Sequence, residues 1–155
     1  VNHVVFGNRA FTGILSGAAG PPQDQIRTTR DDDQLGPDPV AAWQASAAGL
    51  LAAFDRPGVL EQTYRSPLGP MPGAGLAGLR ITETLVHGWD LARSTGQRAP
   101  FDDGVARTAL DFTLRQMPPE ADRSTFPFAP AQPVGPDAPA IDRLAAHLGR
   151  RVTGG

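Results

Sequence analysis

The segment from Leu76 to Thr95 constrains the fold most, because it contains no proline and is followed by Gly96. If it turns by about 100° per residue as an α-helix does, its apolar residues fall on almost every side. A helix that is apolar nearly all round is buried in the interior of a protein. We therefore expect a long central helix here, with the remaining elements packed around it.

Proline and glycine clusters separate this segment from four others with helical spacing. The chain has 155 residues, of which 16 are proline and 18 are glycine, so long irregular connections are expected. The predicted helices cover Val1 to about Leu15, Pro39 to Phe54, Asp102 or Asp103 to Met117, and Ile141 to Leu148. Asp38 can cap the second of these helices, with Pro39 at its first position.

Regions between these helices are predicted to be irregular. Ser16–Pro39 reads as a polar loop that includes the solvated run Asp31–Asp33, and Pro67–Gly75 and Pro118–Pro139 are rich in proline. No strong strand pattern occurs, apart from a short extended piece near Val59–Tyr64. The sequence thus predicts an all-α bundle of four or five helices with long Pro/Gly-rich loops in a single domain, residues 1–155.

The chain begins inside a helical pattern. Val1 to Phe6 read as the middle of an amphipathic helix, with neither a capping residue nor an initiator methionine. We expect further sequence upstream of Val1.

Composition excludes several classes of partner. The net charge is −2 and the isoelectric point is near 5.9, so there is no basic surface for nucleic acid or anionic membranes. No signal peptide and no apolar run of about 18 residues is present, which favours a cytoplasmic protein. Because the chain has no cysteine, any metal site must use nitrogen and oxygen ligands.

Three ionisable residues share one side of the long central helix. Glu83, His87 and Asp90 lie within roughly 60° of one another around the helix axis. Buried ionisable groups are costly unless they are paired or bind a metal ion. Glu83 and His87 are one turn apart, so a carboxylate oxygen and an imidazole nitrogen can converge on one ion. The pattern indicates a divalent-metal site.

A third ligand must come from another helix, and only His3 and His147 remain among the histidines. His3 is preferred because it lies on a predicted helix face beside small residues. His147 lies at the end of a short helix, where a surface histidine is expected. Two histidines and one glutamate define an open zinc site with a vacant position for water, a thiolate or a substrate oxygen, although nickel can replace zinc. Asp90 is the candidate for orienting the ligand shell.

Other interpretations of the same residues stay open. Glu83 and His87 can form a metal-free pair in a plain helical interaction domain. Trp43 and Trp89 are expected to be core residues.

Three segments resemble one family. The run Glu83–Gln97 is similar to the signature helix of the mycothiol-dependent maleylpyruvate isomerase-like proteins, within the DinB-like metal-binding four-helix bundles. Val1–Asn8 resembles the first ligand motif of that family, and Asp142–Arg150 resembles its closing helix. The resemblance implies that His3, Glu83 and His87 hold the metal. It also implies a leading helix before the first ligand, which would lie upstream of Val1.

The resemblance also implies an activity. A mycothiol thiolate would occupy the open zinc position and react with a small electrophilic substrate, so we expect a mycothiol-dependent isomerase or thiol S-transferase. The alternative is a non-catalytic metal-binding bundle or a structural or interaction domain. The identity of the electrophile is not implied.

Overall fold

The computed structural model describes residues 1–18, 29–66, 69–123 and 128–152 and is mostly helical. Its elements, in chain order, are α1 (Asn2–Leu15), α2 (Pro39–Phe54), β1 (Thr63–Ser66), β2 (Gly69–Pro72), α3 (Gly73–Ser94), α4 (Asp103–Gln116) and α5 (Ala140–His147). This architecture is consistent with a DinB-like helical fold. The chain divides into two compact units, Val1–Arg80 and Ile81–Gly155, and the division falls within α3.

The predicted helices form close to their expected bounds, and capping explains where two of them begin. The Asp38 carboxylate accepts a hydrogen bond from the Ala41 amide at 3.0 Å, as predicted for α2. Asp102 accepts one from the Val105 amide at 3.0 Å and caps α4 in the same way. Gly96 follows α3 with a φ of 69°, a conformation that glycine adopts without strain.

A β-hairpin replaces part of the predicted irregular region. β1 and β2 pair antiparallel, with Tyr64 opposite Met71 and Ser66 opposite Gly69. Prolines such as those of β2 indicate against a strand, because they lack an amide donor. A two-stranded ribbon has only edge strands, however, and edge strands tolerate the missing donor. Helix α3 starts directly after the hairpin at Gly73, earlier than the predicted Leu76.

The core of the first unit joins α1, α2, the hairpin and the start of α3. Its buried members are Ile14, Leu15, Ala53, Val59, Tyr64 and Leu76. Beside them lies a buried polar group: Arg80 is 3% exposed and donates to Asn8 Oδ1 at 2.8 Å, while Asn8 Nδ2 donates to Ser46 Oγ at 3.0 Å. The guanidinium also stacks over the ring of Phe11, 5.2 Å from its centroid. These contacts fix α1 against α2 and the first part of α3.

Helical spacing predicts one buried apolar stripe on α2, formed by Val40, Trp43, Ala47, Leu50, Leu51 and Phe54. The structure shows that this prediction is wrong at three positions. Val40, Trp43 and Leu51 are 64%, 46% and 70% exposed, whereas Ser46 and Ala53 are buried. Residues Pro39–Phe54 include no charged side chain, so the sequence gives little indication of which face is buried. In the described part of the chain, no helix is both long and apolar enough to cross a membrane.

The second unit has its own core, formed by the later part of α3 with α4 and α5. The buried members are Leu85, Val86, Ala109, Leu110, Met117, Leu144 and Leu148. Trp89 is buried as predicted, at 5% exposed. The hydroxyls of Thr82 and Thr113 lie 3.2 Å apart and join α3 to α4 within this core.

His147 is not the surface histidine that its place near a helix end suggested. It is 8% exposed, and its Nε2 donates to the Met117 carbonyl at 2.9 Å. Arg123 donates to the His147 carbonyl at 2.7 Å and approaches the ring nitrogens at 3.4 Å. Burial lowers the pKa of the imidazole, the bond to Met117 opposes this effect, and the charge of Arg123 adds to the lowering.

Candidate metal centre

The later part of α3 carries Glu83, His87 and Asp90 on one side, as the helical spacing predicted. The prediction that this side is buried needs correction. The side chains of His87 and Asp90 are 33% and 37% exposed, and Glu83 is also partly exposed. The helix is therefore open to solvent along this side, which an entering ligand requires.

Asp90 lies between His87 and a cation from the end of the chain. Its Oδ2 is 3.4 Å from His87 Nδ1, so it reaches the ring, which spacing alone left open. On its other side, Arg150 donates through Nε to Oδ1 at 3.2 Å and through Nη2 to Oδ2 at 3.0 Å. This two-point contact fixes the plane of the carboxylate beside the imidazole.

Helix α5 is attached to α3 one residue before Asp90. Trp89 Nε1 donates to Asp142 Oδ1 at 2.6 Å, and Arg93 Nη2 lies 3.5 Å from the same oxygen. The guanidinium of Arg93 lies over the Trp89 ring, 5.1 Å from its centroid. The closing helix is thus attached to α3 by a hydrogen bond and an ion pair, and the cation–π contact within α3 holds Arg93 beside Trp89.

Gly88 allows close packing next to His87. A Cβ atom at Gly88 would overlap the Phe101 ring, which packs against the core of the second unit. Phe101 therefore sits against the backbone of α3 next to His87. A side chain at position 88 would displace either this ring or the helix.

His3 lies in the first turn of α1 and belongs to the first unit, where it is partly exposed. Its neighbour Asn2 holds this turn against residues 30–34: Nδ2 donates to the carbonyls of Arg30 and Asp32, and Oδ1 accepts from the Gln34 amide at 2.8 Å. Over the described residues, no group of three or more His, Cys, Asp or Glu side chains is arranged to hold a metal ion. The trio of His3, Glu83 and His87 thus stays a prediction.

The α3 donors nevertheless have the chemistry of a zinc half-site. Glu83 and His87 offer a carboxylate and an imidazole one turn apart, and Asp90 stands beside Nδ1. Zinc-binding histidines almost always have such an outer partner on the nitrogen that does not bind the metal. The residues present fit a divalent ion held through Glu83 and His87 together with one further ligand.

The sequence did not predict that Arg150 and Asp142 contact this part of α3. Each pairs with α3 across more than fifty residues of chain, and such long-range pairs have no periodic signal in one sequence. The resemblance of Asp142–Arg150 to the closing helix of the family is the signal that points to this segment.

Fold and site together define a mostly helical protein with a Glu-x3-His pair and a supporting carboxylate on its longest described helix. Residues 1–92 match the family described as the mycothiol maleylpyruvate isomerase N-terminal domain. The chain belongs to this family.

Two proteins of Mycobacterium tuberculosis are similar over almost the whole chain. They are the uncharacterized protein MT0763 of strain CDC 1551 / Oshkosh and the uncharacterized protein Rv0738 of strain ATCC 25618 / H37Rv. Each is 38% identical over 152 residues, which cover 98% of this chain and 78% of the relative. No solved structure gives a significant match.

Proposed function

We propose that the protein binds one zinc ion through His3, Glu83 and His87 and uses it to activate a low-molecular-weight thiol, mycothiol. The family match over residues 1–92 supports this proposal because it includes all three residues. The reaction would be isomerisation or thiol transfer on a small electrophilic substrate.

The observation that carries the proposal is the contact between His87 Nδ1 and Asp90 Oδ2 at 3.4 Å. A carboxylate beside Nδ1 favours the tautomer with its proton on that nitrogen, which leaves the lone pair of Nε2 for a metal ion. Glu83 lies one turn away on the same side of α3 and supplies a hard oxygen donor.

A bound zinc ion would supply Lewis acidity that lowers the pKa of a coordinated thiol. The residues of the chain then have distinct tasks. Glu83 and His87 bind from α3, His3 binds from α1, and Asp90 orients the His87 ring. Since the chain contributes no cysteine, the sulfur ligand would come from the thiol co-substrate alone.

Metal analysis of protein purified without an affinity tag tests the site. We expect about one zinc per chain in the wild type, and much less in His3→Ala, Glu83→Ala and His87→Ala, because each loses one of three protein ligands. Glu61→Ala, an exposed glutamate in the first unit, is the matched control and keeps its zinc. A metal-free, stably folded wild type would contradict the site, as would full zinc content in the Glu83 and His87 variants.

A cobalt-substituted protein tests the thiol. Mycothiol should add the intense near-ultraviolet absorption of a cobalt–thiolate bond, and S-methylated mycothiol should not, because it has no thiolate to offer. A cobalt site that responds to neither compound would favour the non-catalytic metal-binding bundle.

A further inference from the structure

The segment that follows α5 brings Arg150 onto the outer edge of the candidate centre. Arg150 is sixty residues from Asp90 in sequence, and its guanidinium contacts both carboxylate oxygens, at 3.2 Å and 3.0 Å. It lies outside the family-matched residues 1–92. The family match therefore includes Asp90 but not Arg150.

The backbone that carries Arg150 is itself held in place. The Arg150 amide donates to the Ala145 carbonyl at 3.0 Å, and its Nη1 donates to the Leu148 carbonyl at 3.0 Å. Gly149 has a φ of 87°, and a Cβ there would overlap Ala129. A turn that only glycine fits thus aims the guanidinium at α3.

The geometry of the contact between Arg150 and Asp90, more than its charge, sets the orientation of the carboxylate. A guanidinium that donates through Nε and Nη2 meets a carboxylate edge to edge, which fixes the carboxylate plane. An ammonium group supplies charge but no planar fork. With Asp90 fixed in this way, Oδ2 is directed to the side where His87 Nδ1 lies, 3.4 Å away.

We propose that Arg150 is a positioning residue for His87. It holds Asp90 in the orientation that keeps the imidazole proton on Nδ1, so the segment after α5 belongs to the site. The consequence for metal binding rests on the proposed function, whereas the effect on the tautomer of His87 does not.

Nitrogen-15 NMR of histidine-labelled, metal-free protein reads the tautomer directly, at about pH 8.5 where an ordinary imidazole is neutral. We expect the Nδ1–H form of His87 in the wild type and a mixture of both forms in Arg150→Gln. Arg150→Lys should be intermediate, since it keeps the charge without the fork. Arg151→Gln changes the adjacent, exposed arginine and should leave the wild-type pattern.

Asp90→Asn provides an independent check. It should change the tautomer of His87 by itself, and adding Arg150→Gln should change it little further, because both act through one carboxylate. Amide spectra that match the wild type away from the site show that each variant is folded. An unchanged His87 tautomer in folded Arg150→Gln would overturn the inference.

Zinc competition with a chromophoric chelator separates this inference from the proposed function. If the wild type binds zinc, Arg150→Gln should weaken binding by about tenfold or more, the effect of losing an outer partner of a ligand. A tautomer shift in a protein that binds no zinc would support the role of Arg150 and contradict the proposed function. Equally tight zinc binding in both proteins, with no tautomer shift, would contradict the role of Arg150 and support zinc binding.

Discussion

The buried guanidinium of Arg80 fills the space that a side chain at position 7 of α1 would occupy. A Cβ at Gly7 would overlap that guanidinium, which is held by Asn8 and stacked on Phe11. Gly13, on the same helix, offers an ordinary contact instead, since its nearest neighbour would be the Ala18 Cβ at 3.9 Å. The two glycines therefore form a matched pair.

Alanine should act in opposite directions at these two positions. Gly7→Ala should lower the free energy of unfolding by about 1–3 kcal/mol, because Arg80 must move. Gly13→Ala should raise it by up to about 1 kcal/mol, since alanine loses less entropy in a helix. Urea denaturation measures both. A stabilised Gly7→Ala protein would show that Arg80 does not pack there.

His147 should make stability depend on pH near neutrality. Its pKa is lowered in the folded protein, mainly by burial, from an ordinary value of 6.5. As the pH falls through that value, the unfolded chain takes up a proton before the folded protein does, so the free energy of unfolding decreases. The carboxyl groups of Asp33 and Asp103 also have lowered pKa values, from 3.8, so they act only at more acidic pH.

The test compares urea denaturation of the wild type and His147→Gln between about pH 7.5 and pH 5.5. The wild type should lose stability across this range, and the variant should lose less because glutamine does not titrate. The same pH dependence in both proteins would exclude His147 as its source.

Single-residue environments were only partly readable from the sequence. Helical spacing, at about 100° per residue, placed Glu83, His87 and Asp90 on one side of a helix that the structure confirms. It could not reveal that Arg123 and Met117 enclose His147, because those partners lie in another part of the chain.

At the level of elements, α2 shows how far helical periodicity can predict structure. Its start was predictable from Asp38 and Pro39, because capping is local chemistry. Its buried face was not predictable, because the helix has no charged residues that would mark the side facing solvent. The hairpin was missed for a related reason: its prolines weigh against strands in general, and edge strands are the exception.

Leu51 and Leu76 test the observed burial of these elements. Leu51→Gln should change the free energy of unfolding by no more than about 0.5 kcal/mol, since the side chain is 70% exposed. Leu76→Ala should lower the free energy of unfolding by about 2–5 kcal/mol, because Leu76 is fully buried at the start of α3. Urea denaturation again gives both values. A decrease of more than about 1 kcal/mol in the free energy of unfolding of Leu51→Gln would indicate that Leu51 is buried, contrary to the structure.

For the whole molecule, sequence and structure agree on a mostly helical protein, and the family match supports the same reading. The sequence predicted the α3 donors because one helix carries them. The prediction that His3 is the third ligand depended on preferring it to His147 and on the resemblance of Val1–Asn8 to the first ligand motif of the family. Because the two units are compact by themselves, the prediction of a single domain, residues 1–155, also stays a prediction.

The central claim is that a metal held by nitrogen and oxygen ligands takes its sulfur from a small thiol. X-ray absorption at the zinc edge tests it most directly, because zinc–sulfur contacts near 2.3 Å stand apart from nitrogen and oxygen contacts near 2.0 Å. We expect only nitrogen and oxygen neighbours in the zinc-loaded protein, and one added sulfur neighbour after mycothiol but not after S-methylated mycothiol. A zinc-loaded protein whose spectrum gains no sulfur neighbour at saturating mycothiol would contradict the account.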